Sequence, residues 1–205
     1  MKALKTFKKI NLPNKLTILR VLLIPFFMVF LLIPAENYLW MNITAAAIFI
    51  LASATDALDG AIARSRGLVT NFGKFLDPLA DKCMVLSAFL CIIASNRFAD
   101  LRLAAGIAVS IVIFRELAVT SMRLVVTNTD GTVVAANTLG KLKTIFQILT
   151  IVIILLEEAV LPDASGWLKE YHLCSYAMLI LMTVLTIVSG VAYLKKYFSY
   201  IDPTR

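Results

Sequence analysis

Four aspartates, Asp56, Asp59, Asp77 and Asp81, fall within 26 residues, in DALDGAIARSRGLVTNFGKFLDPLAD, between runs apolar enough to enter a membrane. A carboxylate at membrane depth is costly and as a rule marks a function. Asp56 and Asp59 are three residues apart, and Asp77 and Asp81 four apart, so each pair shares one face of a helix. A short turn carrying Gly67, Asn71 and Gly73 is expected to join the two helices into a hairpin, with Arg64 and Arg66 at its end. At ~1.5 Å per residue, Asp59 lies ~8 Å from Arg64 and Asp81 ~12 Å past Gly73. The two pairs therefore reach similar depths and can face each other.

Without a partner such a cluster would raise its own pKa values and stay protonated. The ligands are oxygens, with no His or Cys beside them, which fits a hard cation: Mg²⁺ or Mn²⁺, one ion or two. Ca²⁺ would need more ligands. Gly60 and Ala63 lie near the face of Asp56 and Asp59 and are small enough for a bulky ligand to approach the helix. Arg64 offers a fork of donors suited to phosphate. The competing reading is a set of internal ion pairs in which Lys82, Arg115 or Arg123 neutralises the acids.

The elements that must hold these groups follow from composition. The chain has 205 residues, 60% hydrophobic and 16% charged, with a mean hydropathy of +0.86. A soluble domain carries about 25% charged residues, so an integral membrane protein is expected, with a single domain over 1–205. Six stretches approach the ~20 apolar residues of a spanning helix: about 16–34, 40–63, 75–95, 102–126, 139–161 and 171–194. The expected fold class is an all-α bundle of six transmembrane helices, with 40–95 as the catalytic hairpin. Short links make neighbouring helices antiparallel. Residues 1–15, with Lys2, Lys5, Lys8, Lys9 and Lys15 among apolar residues, are expected to lie as an amphipathic segment on an anionic surface. The run from about Thr17 to Ile33 is longer than a usual signal core and lacks an A-x-A exit, so it is read as a retained span.

Six spans put both termini on one side. That side collects Lys2, Lys5, Lys8, Lys9, Lys15, Arg20, Arg64, Arg66, Lys74, Lys141, Lys143, Lys195, Lys196 and Arg205. The other side has Arg97, Arg102 and Lys169. The basic side, and the aspartates with it, is expected to be cytoplasmic. The net charge of +7 then points to lipid head groups and phosphorylated substrates and away from nucleic acid. Cys83, Cys91 and Cys174 are read as small buried hydrophobes. His172 falls on the external side, far from the acids. Trp40, Trp167, Tyr171, Tyr193 and Tyr197 are read as interface anchors.

Other polar residues sit where apolar ones would be expected. Asn14, Thr17 and Arg20 recur at three-residue intervals on one face of the first span. They fit a helix start, with Asn14 as cap and Arg20 snorkelling, or a ligand contact. In the fourth span Arg115, with Glu116 beside it, and Arg123 need anions. Lys141 and Lys143 open the fifth. These lysines fit the positive-inside pattern, and the four cations together fit a pocket for an acidic substrate.

The pattern Asp56-x2-Asp59-Gly60-x2-Ala63-Arg64-x8-Gly73-x3-Asp77-x3-Asp81 resembles, without a departure, the signature of the CDP-alcohol phosphotransferase family. The six-span reading resembles that family's membrane domain over nearly the whole chain. The resemblance implies that Asp56, Asp59 and Asp77 hold the metal that grips a diphosphate, and that Asp81 also lines the metal site. It implies that Asn14, Thr17, Arg20, Asp59, Gly60, Ala63, Arg64 and Gly73 bind CDP-diacylglycerol. Asp81 is the candidate base for the acceptor hydroxyl. The segments FRE, TSMR and GKLKT are similar to those of members whose acceptor is glycerol 3-phosphate, which implies that Arg115, Arg123, Lys141 and Lys143 bind its phosphate. A homodimer in the bacterial cytoplasmic membrane is implied as well.

The expected activity is transfer of a phosphatidyl group from CDP-diacylglycerol to glycerol 3-phosphate, releasing CMP. The alternatives are a relative using inositol phosphate or a phospholipid as acceptor and, from another class, an ion-coupled transporter. The transporter fits less well, because the acids cluster near one leaflet and no broken, pseudo-symmetric helix pair is visible.

Overall fold

The structure is a computed structural model that describes residues 11–34, 38–65, 70–130, 138–161, 166 and 171–200. The side chains of residues 57, 59, 61, 63, 64 and 128–130 are outside that description. The basic segment at Lys2–Lys9, together with Arg66, Gly67, Trp167, Lys169 and Arg205, also lies outside the described residues.

Six helices run in chain order: α1 Leu12–Leu32, α2 Tyr38–Ser65, α3 Asn71–Ala94, α4 Arg102–Asp130, α5 Thr138–Val160 and α6 Leu173–Tyr197, with no strand among the described residues. Each matches one expected span to within about four residues at either end. Five of the helices contain stretches long and apolar enough to cross a membrane. The exception is α3. Its 24 residues would extend ~36 Å, but Lys74, Asp77, Asp81 and Lys82 fall within it.

The distribution of polarity is that of a multi-pass membrane protein. Leu103, Phe114, Phe75 and Ile180 are exposed, while Arg20, Lys143, Glu157 and Gln147 are buried. Apolar side chains facing outward are stable in lipid, whereas buried polar groups there need partners.

Two compact units divide the chain, Met1–Arg97 with Glu158–Val160, and Phe98–Glu157 with Leu161–Arg205. In the first, α1 carries a single buried stripe of two chemistries: Asn14, Thr17 and Arg20, then Phe27 and Leu31. Phe27 meets Phe49 of α2 at 5.5 Å between ring centroids. Ala45, Ala46 and Ala52 of α2 are buried, and such small residues let membrane helices approach closely. Arg97 closes the far end of α1. Its Nη1 donates to Phe30 O at 3.0 Å and to Asn42 Oδ1 at 3.0 Å, and its Nη2 to Ile33 O at 2.7 Å. The guanidinium also stacks 4.4 Å from the Tyr38 ring centroid. Burial lowers its pKa from the ordinary arginine value, yet an arginine stays charged in proteins.

In the second unit, Val119, Met122 and Val126 of α4 pack around Tyr193 of α6. Tyr193 is thus a core residue and not the interface anchor expected of it, because it faces α4 along its helix. Trp40 and Tyr171 are exposed. Glu157 of α5 caps α6, accepting from Cys174 N at 2.9 Å, Ser175 N at 3.1 Å and the Ser175 hydroxyl. A carboxylate there opposes the positive end of the helix dipole. His172 precedes α6 in the left-handed region at φ 47, with Nδ1 3.8 Å from Glu157 Oε2. All three cysteines are free, but only Cys91 is buried; Cys83 and Cys174 are exposed. An apolar run does not distinguish a core face from a lipid face.

Candidate active site

The site in the first unit is built on the polar half of the α1 stripe. Pro13 sits in the first turn and Asn11 is the N-cap, with no side-chain cap bond. Asn14 is therefore inside the helix and its amide is not used for capping. Asn14 Nδ2 donates to Thr70 Oγ1 at 2.9 Å, and the Thr70 hydroxyl lies 3.2 Å from Asn14 Oδ1. Thr70 is the N-cap of α3 and accepts from Gly73 N at 3.0 Å, so one of the helix's first unpaired N–H groups is satisfied. Asn71 and Gly73 consequently belong to the first turn of α3 and not to a connecting turn.

Gly73 has a local steric reason. A Cβ there would meet Asn14 Oδ1 at 2.9 Å, Thr70 Oγ1 at 3.4 Å and Asp77 Oδ2 at 3.6 Å. The start of α3 thus lies against α1 at a distance that only glycine allows without a shift.

One turn along α1, Thr17 Oγ1 lies 2.8 Å from Asp77 Oδ1 and 3.2 Å from Pro13 O. Its proton suits the charged acceptor, which makes the stronger bond. One turn further, Arg20 Nη1 donates to Asp56 Oδ1 at 2.5 Å. Arg20 is fully buried, so it does not snorkel. It thereby supplies Asp56 with the counter-ion that an internal ion pair requires. Consecutive turns of α1 thus bring Asp56 of α2 and Asp77 of α3 to one helix face.

Asp81 lies one turn beyond Asp77 on α3 and is half-buried. Between them Pro78 interrupts the helix ladder, because it has no N–H for the Lys74 carbonyl. Gly60 is half-buried on α2. Asp59, Ala63 and Arg64 lie on the α2 backbone, with side chains outside the described residues. Among the described residues, no three His, Cys, Asp or Glu side chains converge as a metal-ligand group. Asp56 and Asp77, held on one face with oxygen donors only, fit a hard divalent cation. Sulfur and nitrogen ligands are missing from that donor pair, so a softer metal does not fit it.

A second polar cluster lies in the second unit. Glu116 Oε1 accepts from Arg115 Nη1 at 3.1 Å and from Lys143 Nζ. Arg115 Nη2 donates to Ser189 Oγ of α6 at 2.7 Å. A Cβ on Gly190 would come within 3.0 Å of Arg115 Cγ, so Gly190 makes room for the arginine stem. Two of the four expected phosphate-binding cations, Arg115 and Lys143, thus meet through one carboxylate. Arg123 and Lys141 are exposed and do not join that cluster among the described residues.

Three contributors escaped the sequence reading. Thr70 could have been found as a threonine just before the first residue of α3, the usual cap position. Ser189 and Gly190 carry no local signal, since their role depends on which helix faces Arg115.

Residues 10–192 match the CDP-alcohol phosphatidyltransferase family. The chain is 42% identical to a CDP-diacylglycerol--glycerol-3-phosphate 3-phosphatidyltransferase of Bacillus subtilis (strain 168), over 91% of this chain and 94% of that protein. It is 35% identical to the protein of the same name from Pseudomonas fluorescens, over 93% and 92%. It is 33% identical to that of Yersinia pseudotuberculosis serotype I (strain IP32953), over 93% and 97%. With a match of this length, the chain belongs to the CDP-alcohol phosphatidyltransferase family.

Proposed function

We propose that this protein transfers a phosphatidyl group from CDP-diacylglycerol to sn-glycerol 3-phosphate, giving phosphatidylglycerophosphate and CMP. The observation that carries the reading is the anchoring of Asp56 and Asp77 to Arg20 and Thr17 on consecutive turns of one buried helix face. The names of the three relatives support the choice of substrates.

In this reading Asp56, Asp59, Asp77 and Asp81 hold Mg²⁺ or Mn²⁺, as two ions. Bound there, a divalent cation neutralises diphosphate charge and the charge that develops on departing CMP. Arg20 and Thr17 orient two of the carboxylates, and Asn14 with Gly73 fixes the start of α3 beside them. Gly60, Ala63 and Arg64 bind the cytidine diphosphate portion. Asp81 takes the proton of the attacking glycerol hydroxyl. That oxygen forms a bond to the phosphorus bearing diacylglycerol, the phosphorus–oxygen bond to CMP breaks, and CMP leaves. Arg115 and Lys143, with Arg123 and Lys141, bind the acceptor phosphate.

The chain works as one membrane domain and as a homodimer in the bacterial cytoplasmic membrane. Both termini and the opening of the site face the cytoplasm, in keeping with the positive-inside pattern. The test is CMP release by purified protein given CDP-diacylglycerol, Mg²⁺ and glycerol 3-phosphate. Release should require the acceptor, stop with EDTA and fall at least a hundredfold in Asp81→Asn. Acceptor-independent release, or full activity of the Asn variant, contradicts the mechanism.

A further inference from the structure

Gln147 stands on α5 one turn after Lys143 and is 2% exposed. Among the described residues its Nε2 has no hydrogen-bond partner. Its neighbours on the same helix face differ. Lys143 donates to Glu116. Thr150 Oγ1 lies 2.7 Å from Phe146 O and 3.3 Å from Met178 O. Of these three polar side chains on one face, only the middle one has a buried polar atom with no hydrogen-bond partner among the described residues.

A buried donor without a partner costs free energy, because its bonds to water have been given up with nothing in exchange. Packing alone gives no reason for this residue, since Met has nearly the same shape and no polar group. Gln147 lies ~14 Å along α5 from Thr138, too deep for a short amide to reach the membrane surface. Its unused donor therefore points to a ligand. The ligand's chemistry follows from what lies one turn away. Arg115 and Lys143 supply charged donors suited to phosphate. A neutral amide further along the face suits a neutral oxygen on the same molecule.

We propose that Gln147 is a specificity-determining residue of the acceptor site, and that its amide donates a hydrogen bond to the secondary hydroxyl of glycerol 3-phosphate. This rests on glycerol 3-phosphate being the acceptor.

The experiment compares glycerol 3-phosphate with 3-hydroxypropyl phosphate, which keeps the phosphate and the primary hydroxyl but lacks the secondary one. Wild-type protein should prefer glycerol 3-phosphate by about tenfold or more in kcat/KM, because a site built to bond a hydroxyl rejects the analogue without it. Gln147→Met should use both within about twofold, and its melting temperature should not fall. If Gln147→Met keeps the wild-type preference, or loses activity on both acceptors equally with a lower melting temperature, the proposal is overturned. Gln147→Leu serves for the same comparison if the Met variant does not accumulate. Failure of both to fold makes the amide a structural group and also overturns the proposal. A wild-type protein that ignores glycerol 3-phosphate but uses another acceptor removes the functional reading itself. A preference untouched by substitution removes only the role of Gln147.

Discussion

Arg20 Nη1 lies 2.5 Å from Asp56 Oδ1, and the arginine side chain is 0% exposed while that of the aspartate is 44% exposed. The cation belongs to the core and the carboxylate opens outward. Arg20 therefore acts as a fixed post that aims Asp56. Lysine cannot reproduce a planar fork, so Arg20→Lys should lower kcat by more than tenfold and raise the Mg²⁺ concentration needed for half-maximal activity. Arg20→Gln should also destabilise the protein, by about 2 kcal/mol. That is less than the 3–5 kcal/mol of a fully buried pair, because Asp56 is open to solvation. A magnesium titration of each variant, with thermal unfolding alongside, checks both expectations.

Gly73 and Asn14 should be energetically coupled. Gly73→Ala places a methyl 2.9 Å from Asn14 Oδ1, while Asn14 is held by Thr70. The substitution should destabilise by about 1–3 kcal/mol, the usual range for overpacking. In an Asn14→Ala background the obstructing oxygen is gone and the same substitution should cost at least about 1 kcal/mol less. Additive costs in the double-mutant cycle would show that the contact does not govern this position.

Glu116 bridges Arg115 and Lys143 through one oxygen, and the acceptor phosphate proposed above would compete for that place. Glu116→Gln should strengthen anion binding. Inorganic phosphate should compete with glycerol 3-phosphate about tenfold more effectively, an expectation for exchanging a charged for a neutral hydrogen-bond partner. The melting temperature should fall, because two cations lose a counter-ion. Unchanged phosphate inhibition would mean that this cluster does not meet the acceptor.

Arg97 offers a contrast outside the site. It makes three hydrogen bonds to the end of α1 and to Asn42. Arg97→Ala should cost about 2–4 kcal/mol, the sum expected for a few hydrogen bonds from a charged donor. KM for both substrates should be unchanged in the protein that still folds, as measured by steady-state assays below the lowered melting temperature.

The sequence made the helices legible because hydropathy has only to register a run of apolar residues, and Leu12–Leu32 or Leu173–Tyr197 are hard to read otherwise. The polar face of α1 was legible too, from the spacing of Asn14, Thr17 and Arg20. Their partners were not. Helical periodicity tells which side chains share a face, but not which helix that face meets, so Arg20 could equally be a snorkelling residue. The same gap hid Tyr193 in the core and left Cys83 and Cys174 facing outward, since core and lipid accept the same apolar side chains. Gly73 is the opposite case. It was expected beside a ligand, and its nearest neighbour across the fold is the side chain of Asn14.

The charges of α3 bear on how the chain is made. With Lys74, Asp77, Asp81 and Lys82 along its length, α3 is a poor candidate to leave the insertion machinery and enter lipid by itself. Thr17 already stands on the preceding α1, ready to receive Asp77. Helices α1 and α2 should therefore wait beside the nascent α3 and take it up as a preformed polar groove. Replacing Thr17 or Arg20 should then reduce the yield of inserted protein as well as its turnover, linking biogenesis and catalysis through the same residues.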